Sequence, residues 1–307
     1  MLILATLLAC SDYKVVAREH FQDFSQEDPG QLDLLLVVDA STSMEDEQRS
    51  LGENFNGLVS WFDAAAIDYQ IAVTTPDMQR SDAGEINGEI ITPDTADAEG
   101  VFADAVAVGL EGSRFEQAFD AALEALSPVN LAGPNAGLLR DDAWLGVVFV
   151  SDEDDSSTYD VDTYVRAFQD LKSTLPRGSV ILSAIGGDTP GGCDSQGEIA
   201  YPGWRYEQAV ALTDGLFASI CDDDFQGVVE DIGRRTSRQL DTFYLEEERF
   251  PLANTLEVWI DSVILEDGWY YSHEEHAILF ETPPPPGAQI TVRYDLSAAT
   301  PTEDIYP

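Results

Sequence analysis

The sequence predicts a doubly wound α/β domain, with a mostly parallel sheet flanked by helices, followed by a small all-β, sandwich-like domain. Three observations support this prediction: four apolar runs of strand length, helix-period segments between them, and a change to short alternating strands near residue 240. We therefore place the α/β domain at residues 31–240 and the β domain at residues 241–307. With 307 residues, 44% of them hydrophobic, the chain can bury a core in each domain.

The four apolar runs are nearly unbroken, which is typical of strands buried on both faces in a parallel sheet. They are Leu32–Asp39, Tyr69–Thr74, Ala143–Ser151 and Ser179–Ile185. The segments with helical periodicity are Glu45–Phe62, Phe115–Leu126, Val161–Ser173 and Phe225–Gln239. Because strands and helices alternate along the chain, a layered α/β arrangement follows.

After Leu240 the apolar residues alternate over short stretches separated by Asn, Gly and Pro. The predicted strands of this region are Phe243–Glu247, Thr255–Ile260, Trp269–Ser272, Ala277–Phe280 and Gln289–Tyr294. His273 and His276 could suggest a metal site, but their i,i+3 spacing is not the HExxH spacing of a metalloprotease helix. We expect a solvated hairpin tip instead.

The amino terminus predicts export and lipidation. Met1–Ala9 is a short apolar run that cannot span a bilayer, and Leu7-Leu8-Ala9-Cys10 resembles the lipobox of bacterial lipoproteins. The resemblance implies a signal peptide at residues 1–9, a lipid on Cys10, a tether over residues 10–30 and, from Ser11, sorting to the outer membrane of the cell envelope. The alternative is a buried apolar segment, since no basic residue precedes the run.

The remaining cysteines, Cys193 and Cys221, form an even pair in an exported chain, so we expect a disulfide between them. The alternative is two free thiols.

The charge excludes nucleic acid as a partner. The chain has 58 acidic and 15 basic side chains and a formal net charge of −43, whereas nucleic-acid binding needs clustered Lys and Arg. Enzyme function is not expected either. The three histidines lie far in sequence from any candidate serine nucleophile, and no phosphate-binding glycine motif occurs.

The sequence Asp39-Ala40-Ser41-Thr42-Ser43 follows the first buried strand and precedes a helix. It therefore occupies the carboxyl edge of the sheet, where ligand sites of α/β folds form. A carboxylate and two hydroxyls are oxygen ligands that suit Mg²⁺, Mn²⁺ or Ca²⁺. Asp, Ser and Thr are also the preferred caps of a helix N-terminus, and on residue chemistry alone the two interpretations are equal.

The segment VVDASTSM resembles the opening of a von Willebrand factor A (vWA) domain, a Rossmann-like fold with a metal-ion-dependent adhesion site (MIDAS). Two further parts of that motif occur in order, at Ser113 in EGSR before a predicted helix and at Asp152 in VVFVSDEDD. The whole layout, with its lipobox and terminal β segment, resembles vWA lipoproteins of myxobacteria and related deltaproteobacteria.

The resemblance implies that Ser41 and Ser43 bind a divalent ion through their hydroxyls, and that Asp39 and Asp152 bind it directly or through water. Ser113 stands where the family has Thr, so it keeps the hydroxyl but lacks the methyl group that restrains its rotamer. The neighbouring carboxylates Glu153–Asp155 either contribute to the ion's surroundings or form a solvated acidic loop.

The resemblance further implies that a carboxylate of a partner protein completes the ion's shell. The expected function is thus lipid-anchored, metal-dependent protein binding. One alternative is a structural envelope component that docks through the β domain, which an exposed aromatic patch at Trp259, Trp269, Tyr270 and Tyr271 would favour over their burial in a core. A hydrolase would need a base beside the metal, and the sequence shows none.

Overall fold

The computed structural model describes residues 19–26, 30–64, 66–113, 115–176, 178–195, 198–222, 224–236, 240–246, 250–285 and 287–296. The chain divides into two compact units. One is Glu27–Gln239, called the α/β unit below, and the other combines Met1–Gln26 with Leu240–Pro307 and is called the β unit.

The strands of the described residues are β1 (Glu19–Ser25), β2 (Gln31–Val38), β3 (Asp68–Thr74), β4 (Trp144–Ser151), β5 (Val180–Gly186), β6 (Cys193–Ser195), β7 (Glu198–Ala200), β8 (Phe217–Ser219), β9 (Thr242–Tyr244), β10 (Glu257–Ile260), β11 (Val263–Leu265), β12 (Trp269–Ser272), β13 (Ala277–Phe280) and β14 (Gln289–Asp295). The helices are α1 (Glu45–Glu53), α2 (Phe55–Ala64), α3 (Ala98–Val106), α4 (Ala118–Ala125), α5 (Pro128–Leu131), α6 (Val161–Leu171), α7 (Trp204–Thr213) and α8 (Phe225–Thr236). Short 3₁₀ helices cover Thr42–Met44 and Ala253–Thr255.

The α/β unit is built on a parallel five-stranded sheet with the order β3-β2-β4-β5-β8. Alternate residues of β2 enter two separate cores: Leu34 and Leu36 pack on one face of the sheet, and Leu35 and Val37 pack on the other. Both faces are therefore buried, which is why the sequence of β2 is an unbroken apolar run. The predicted fold class is confirmed.

The helix expected over Glu45–Phe62 is wrong in its continuity, because α1 and α2 are separate helices. Asn54 lies between them with φ −107° and ψ 19°, and its side-chain amide donates to the carbonyl of Ser50 at 2.8 Å. Glycine and asparagine are poor helix formers, and asparagine competes for backbone hydrogen bonds, so the break falls where Gly52 and Asn54 occur together.

The disulfide between Cys193 and Cys221 is confirmed. It joins the hairpin of β6 and β7 to the segment that follows β8. This hairpin was not predicted from the sequence. It follows β5, so the disulfide fastens an insertion at the same carboxyl edge of the sheet as the segment VVDASTSM.

The β unit contains two antiparallel sheets, with the orders β1-β14-β10-β11 and β12-β13-β9. Val258 and Val292 of the first sheet share a core with Phe243 and Ile278 of the second, as in a sandwich. β1 pairs along its whole length with β14. The segment expected as a tether therefore includes an edge strand of the β unit. Its half-buried positions are His20, Gln22 and Phe24, of which only Phe24 is apolar, so the strand signal in the sequence is weak.

The HEEH segment forms the turn between β12 and β13. Both ring nitrogens of His276 lie within hydrogen-bond distance of a partner: Nδ1 is 2.8 Å from the Tyr271 hydroxyl, and Nε2 is 2.9 Å from the Glu246 carbonyl oxygen. Trp269 and Tyr271 pack against the core of the β unit, and only Tyr270 of the aromatic group considered above is an exposed side chain, at 54%.

The predicted signal peptide and Cys10 lie outside the described residues. In the part of the chain that the structure describes, no helix has the length and apolar character needed to cross a membrane.

Candidate metal site

The candidate site lies at the carboxyl edge of the parallel sheet, where the strand order reverses. β2 is the first strand of this sheet along the chain; β3 lies on one side of it and β4 on the other. Connections after neighbouring strands at such a reversal leave to opposite faces of the sheet, and the crevice between them is the usual ligand position. Asp39 follows β2 directly and Asp152 follows β4 directly. The topology thus brings the two predicted carboxylates to adjacent strand ends.

Asp39 is fully buried, and hydrogen bonds fix both of its carboxylate oxygens. Its amide donates to the carbonyl of Val150 at 2.9 Å, which extends the pairing of β2 with β4. Its Oδ1 accepts from the amide of Ser41 and its Oδ2 accepts from the hydroxyl of Ser151, both at 2.7 Å. The carboxylate is therefore held rigidly before any ligand binds.

The two hydroxyls of the segment face each other. Ser41 Oγ and Ser43 Oγ are 3.1 Å apart, so one donates to the other. Ser41 occupies the N-cap of the 3₁₀ turn, yet its side chain makes no capping hydrogen bond, and neither does the N-cap residue Met44 of α1. The capping interpretation is therefore wrong for these hydroxyls, and each oxygen keeps at least one lone pair without a donor among the described residues.

Ser113 is brought to the same edge by a close backbone contact. The amide of Gly112 donates to the carbonyl of Ala40 at 2.9 Å, and a Cβ on Gly112 would lie 2.9 Å from the Cβ of Ala40. Only glycine permits this approach. Ser113 Oγ accepts from Gln79 Nε2 at 3.0 Å and from the amide of Phe115 at 3.1 Å. Since both lone pairs of a hydroxyl are then used, Ser113 must release one donor before it can bind an ion.

Gln48 connects the loop after β2 to the loop before Ser113. Its buried side-chain amide donates to the carbonyls of Asp39 at 2.8 Å and Gly109 at 3.0 Å. The Thr42 hydroxyl adds a bond to the carbonyl of Leu110 at 3.2 Å. These bonds join the two loops, so a displacement of residues 109–112 would change the position of Ser113.

Asp152 supplies the clearest sign of a missing partner. Its Oδ1 is a buried atom with no hydrogen-bond partner among the described residues. Burial first, and then the negative charge of Asp152, raise the pKa of the neighbouring Asp39 carboxyl group. A buried carboxylate oxygen without a donor is costly, and a bound cation is one of the few groups that compensate it.

The electrostatics favour a cation as well. Burial, opposed by bonds from Ser151 and Ser41 and reinforced by Asp152, raises the pKa of Asp39 to about 6. Glu116 is 3% exposed, and burial followed by the charge of Asp39 raises its pKa to about 9. A divalent ion among these groups would reverse both shifts, because it stabilises the ionised carboxylates.

The donor set fits a hard divalent ion and depends on the hydroxyls. No group of three or more His, Cys, Asp or Glu side chains within the described residues is arranged to hold a metal. Two carboxylates, Asp39 and Asp152, with the hydroxyls of Ser41 and Ser43, form an all-oxygen set of the type that suits Mg²⁺. The set leaves room for water or for an external ligand.

The acidic residues after Asp152 have different roles. Asp155 is buried, and its Oδ2 pairs with Nε of Arg205 at 2.9 Å while its Oδ1 accepts from the Ser157 hydroxyl at 2.7 Å. Asp154 accepts from the amide of Arg205 at 3.0 Å. These two carboxylates therefore hold the loop, and the interpretation as a solvated acidic loop is wrong for Asp155. Burial and the charge of Asp152 raise the pKa of Glu153. Glu153 therefore interacts electrostatically with the candidate ligand Asp152.

Two exposed aromatic residues are linked to the candidate ligands, one by its position in the sequence and one by a backbone hydrogen bond. Phe115 follows Ser113 by two residues and is 62% exposed. Tyr201 is 61% exposed, and its amide donates to the carbonyl of Asp152 at 2.7 Å. Tyr201 follows the hairpin that the Cys193–Cys221 disulfide fastens. Two exposed aromatic residues therefore belong to the chain segments that carry Ser113 and contact the backbone of Asp152.

Sequence reasoning did not identify four side chains that shape this site: Gln48, Gln79, Glu116 and Ser151. Ser151 could have been inferred, since it is the last residue of a buried strand beside Asp39. Gln79 lies in the loop after β3, at the same sheet edge, and carries only this weak positional signal. Nothing in the sequence distinguishes Glu116 from the many other carboxylates.

No family model matches the chain, and no curated protein matches it. Among solved structures, the chain is similar to proximal thread matrix protein 1 from the mussel byssus, with 14% identity and a TM-score of 0.45, over 69% of this chain and 49% of that protein. It is similar to the pilus adhesin SpaC from Lactobacillus rhamnosus GG, with 10% identity and a TM-score of 0.46, over 91% of this chain and 41% of the adhesin. It is also similar to a von Willebrand factor type A protein from Catenulispora acidiphila, with 12% identity and a TM-score of 0.36, over 92% of this chain and 66% of that one.

The chain spans about half the length, or less, of the first two of these proteins. One structure of the mussel protein has zinc in a MIDAS motif. These similarities are distant, and the present site is assigned from its own side chains and from its place in the sheet.

The affinity of the site for Mg²⁺ should fall about tenfold between pH 7 and pH 5. Because burial raises the pKa of Asp39 to about 6 from 3.8, the carboxylate is largely ionised at pH 7 and largely protonated at pH 5, where the proton competes with the ion. The free energy of unfolding of the metal-free protein should change with pH in the opposite direction to the Mg²⁺ affinity. The stability that Asp39 contributes is present below its ordinary pKa and is lost as the pH rises through about 6. Titration calorimetry at constant ionic strength measures the affinity, and a value independent of pH would contradict the ligand role of Asp39.

Proposed function

We propose that the α/β unit is a divalent-cation-dependent protein-binding module of the vWA type, which recognises a carboxylate of a partner protein. The observation that carries this proposal is the buried Oδ1 of Asp152, which has no hydrogen-bond partner in the described part of the chain and lies beside the hydrogen-bonded carboxylate of Asp39. The facing hydroxyls of Ser41 and Ser43 complete a set of oxygen ligands. We favour Mg²⁺, with Mn²⁺ or Ca²⁺ as alternatives.

When bound, the cation supplies an open coordination position for a partner's carboxylate. Asp39 and Asp152 supply the negative charge that holds it, and hydrogen bonds from Ser41 and Ser151 keep Asp39 in place. The net charge of −43 makes a cation necessary for this partner, since the protein would otherwise repel an acidic group.

The exposed side chains beside the site suggest what surrounds that carboxylate in the partner. Phe115 is an exposed residue two positions after Ser113, and Tyr201 is an exposed residue whose amide donates to the carbonyl of Asp152. We infer that the partner's acidic residue has apolar neighbours that cover these rings, because the desolvated centre of an interface is usually aromatic and its charged contacts are few. The proposal contains no catalytic step.

We also propose that the chain is held at a bacterial cell envelope by a lipid on Cys10, at the outer membrane. The lipobox-like Leu7-Leu8-Ala9-Cys10 supports this. In cells fed an alkyne-labelled fatty acid, the protein should become labelled, and Cys10→Ser should abolish the label. Equal labelling of both would contradict the anchor.

Selection from a displayed library of random peptides tests the binding function. In Mg²⁺, the selected peptides should share an Asp or Glu with apolar neighbours. A synthetic copy of such a peptide should bind in Mg²⁺ and not in EDTA, and its Asp→Asn or Glu→Gln version should not bind in either. The Asp39→Asn protein should bind neither version. Peptides that lack a common acidic residue, or that bind equally in EDTA, would overturn the proposal.

A further inference from the structure

A cavity of about 740 Å³ lies between α1 and α3, outside the candidate metal site. Its volume falls in the range of small-molecule sites in proteins. Small residues line the two helices here, among them Gly52 on α1 and Gly100 and Ala103 on α3. A Cβ on Gly52 would come within 3.1 Å of the Cα of Ala103, so larger side chains at these positions would displace the helices or fill the groove. We call this cavity the α1/α3 groove.

The charge around the α1/α3 groove selects a cation. Four carboxylates line it: Glu45, Glu53, Asp97 and Glu99. Arg49 is the one cationic side chain among the described lining residues, and its guanidinium already pairs with Asp46. A ligand with a positive charge and an apolar body therefore matches both the carboxylates of the rim and the small, uncharged residues between them.

The α1/α3 groove shares a wall with the metal site. Gln48, Gly109 and Leu110 line the groove. Gln48 donates to the carbonyls of Asp39 and Gly109, and Leu110 accepts from the Thr42 hydroxyl. Three residues after Leu110 comes Ser113, which must release a hydrogen bond before it can bind an ion. A ligand that shifts residues 109–110 therefore acts on the loop that presents Ser113.

We propose that the α1/α3 groove binds a small organic cation, and that its occupancy changes the affinity of the metal site through Gln48 and residues 109–113. The binding part stands on the groove alone, whereas the coupling part rests on the proposed metal-dependent function. Two sites that share one loop are coupled when the loop's position differs between their bound states, and the coupling is reciprocal.

Binding is tested with 4-phenylbutylamine, a cation on an apolar body, and with its neutral analogue 4-phenylbutanol. Heteronuclear NMR of the full chain follows the amide resonances of Gly52, Gly100 and Gly109, three glycines in the lining. The amine should shift these resonances saturably, with a dissociation constant of about 1 mM or lower. The alcohol should bind at least about threefold more weakly, as expected when a solvent-exposed charge pair is lost.

Two variants separate the groove from the general negative charge of the protein. Ala107→Phe places a ring in the groove at an exposed position and should abolish the saturable shifts. Glu53→Gln with Glu99→Gln should weaken binding, while Asp104→Asn with Asp170→Asn removes the same charge from exposed positions that do not line the groove and should leave it unchanged. Equal weakening by both pairs, or binding that survives Ala107→Phe, would overturn the groove site.

Coupling is tested by measuring Mg²⁺ affinity with and without saturating amine. We expect a change of about fivefold or more, and the same factor in the affinity for the amine when Mg²⁺ is varied. In Ala107→Phe the amine should leave Mg²⁺ affinity unchanged, which excludes a simple effect of added positive charge. An unchanged Mg²⁺ affinity in the parent would overturn the coupling. If the metal site itself is wrongly assigned, the parent should bind the amine but not Mg²⁺. This result differs from a lack of coupling, in which the parent binds both.

Discussion

Asp39→Asn should abolish the stabilisation of the protein by Mg²⁺. In the parent, an ion present at 100 times its dissociation constant and bound only to the folded state adds about 2.7 kcal/mol to the free energy of unfolding. Asparagine keeps the shape of the buried Asp39 side chain but removes the negative charge at the centre of the ligand set. Thermal or urea unfolding in EDTA and in excess Mg²⁺ measures the difference.

The charge-matched control for this experiment is Asp104→Asn, which removes an exposed carboxylate from α3. It should respond to Mg²⁺ as the parent does, with all samples at the same ionic strength. Without metal, Asp39→Asn should not be less stable than the parent at pH 8, because the parent then buries an ionised carboxylate at a cost. Equal stabilisation of the parent and of Asp39→Asn by Mg²⁺ would mean that the ions only screen an acidic surface.

Asp33→Ala should lower the free energy of unfolding by about 3–5 kcal/mol, because it leaves the buried Lys172 ammonium and the partly buried Arg140 guanidinium without the carboxylate between them. Asp33 is 1% exposed; its Oδ1 accepts from Arg140 Nε at 2.7 Å, and its Oδ2 lies 3.4 Å from Lys172 Nζ. Lys172 is itself 3% exposed, and burial lowers its pKa. Urea unfolding monitored by circular dichroism gives the loss.

The matched control is Asp68→Ala, since Arg140 contacts this second carboxylate as well. Asp68 Oδ2 is 3.0 Å from Arg140 Nη1, but its side chain is 56% exposed. Water screens the exposed pair, so the expected cost is below about 1 kcal/mol. If the two substitutions cost the same, burial does not determine the strength of this ion-pair group.

The long buried strands could be predicted from the sequence because burial on both faces leaves a continuous apolar run. β2, β3, β4 and β5 all have this signal. The three-residue β8 lacks it: its residues are only partly buried, and it pairs at one sheet edge with β5 alone. The pairing of β1 with β14 could not be inferred either, since strands at opposite ends of the chain show no local sign of their contact.

The candidate site likewise has residues that could be predicted from the sequence and residues that could not. Asp39, Ser41 and Ser43 come from one loop, and the rule for the carboxyl edge of a parallel sheet adds Asp152. The sequence could not show that the hydroxyl of Ser113 accepts from Gln79, a residue of another loop, because this contact depends on how the two loops pack. The burial of Glu116 is likewise a property of packing.

The pairing of β1 with β14 has a consequence for the order in which the molecule is completed. Glu19 lies opposite Asp295, so the β unit needs strands from both ends of the polypeptide, and the α/β unit is an insertion between them. During synthesis the α/β unit can form as soon as its own residues have left the ribosome, whereas β1 must wait until β14 has been made. Any pull transmitted along the N-terminal segment would likewise load the seven residue pairs of β1 and β14 before it reached the parallel sheet. A truncation that removes residues 1–30 as a flexible leader would therefore delete a structural strand of the β unit, whose other strands lie more than two hundred residues further along the chain.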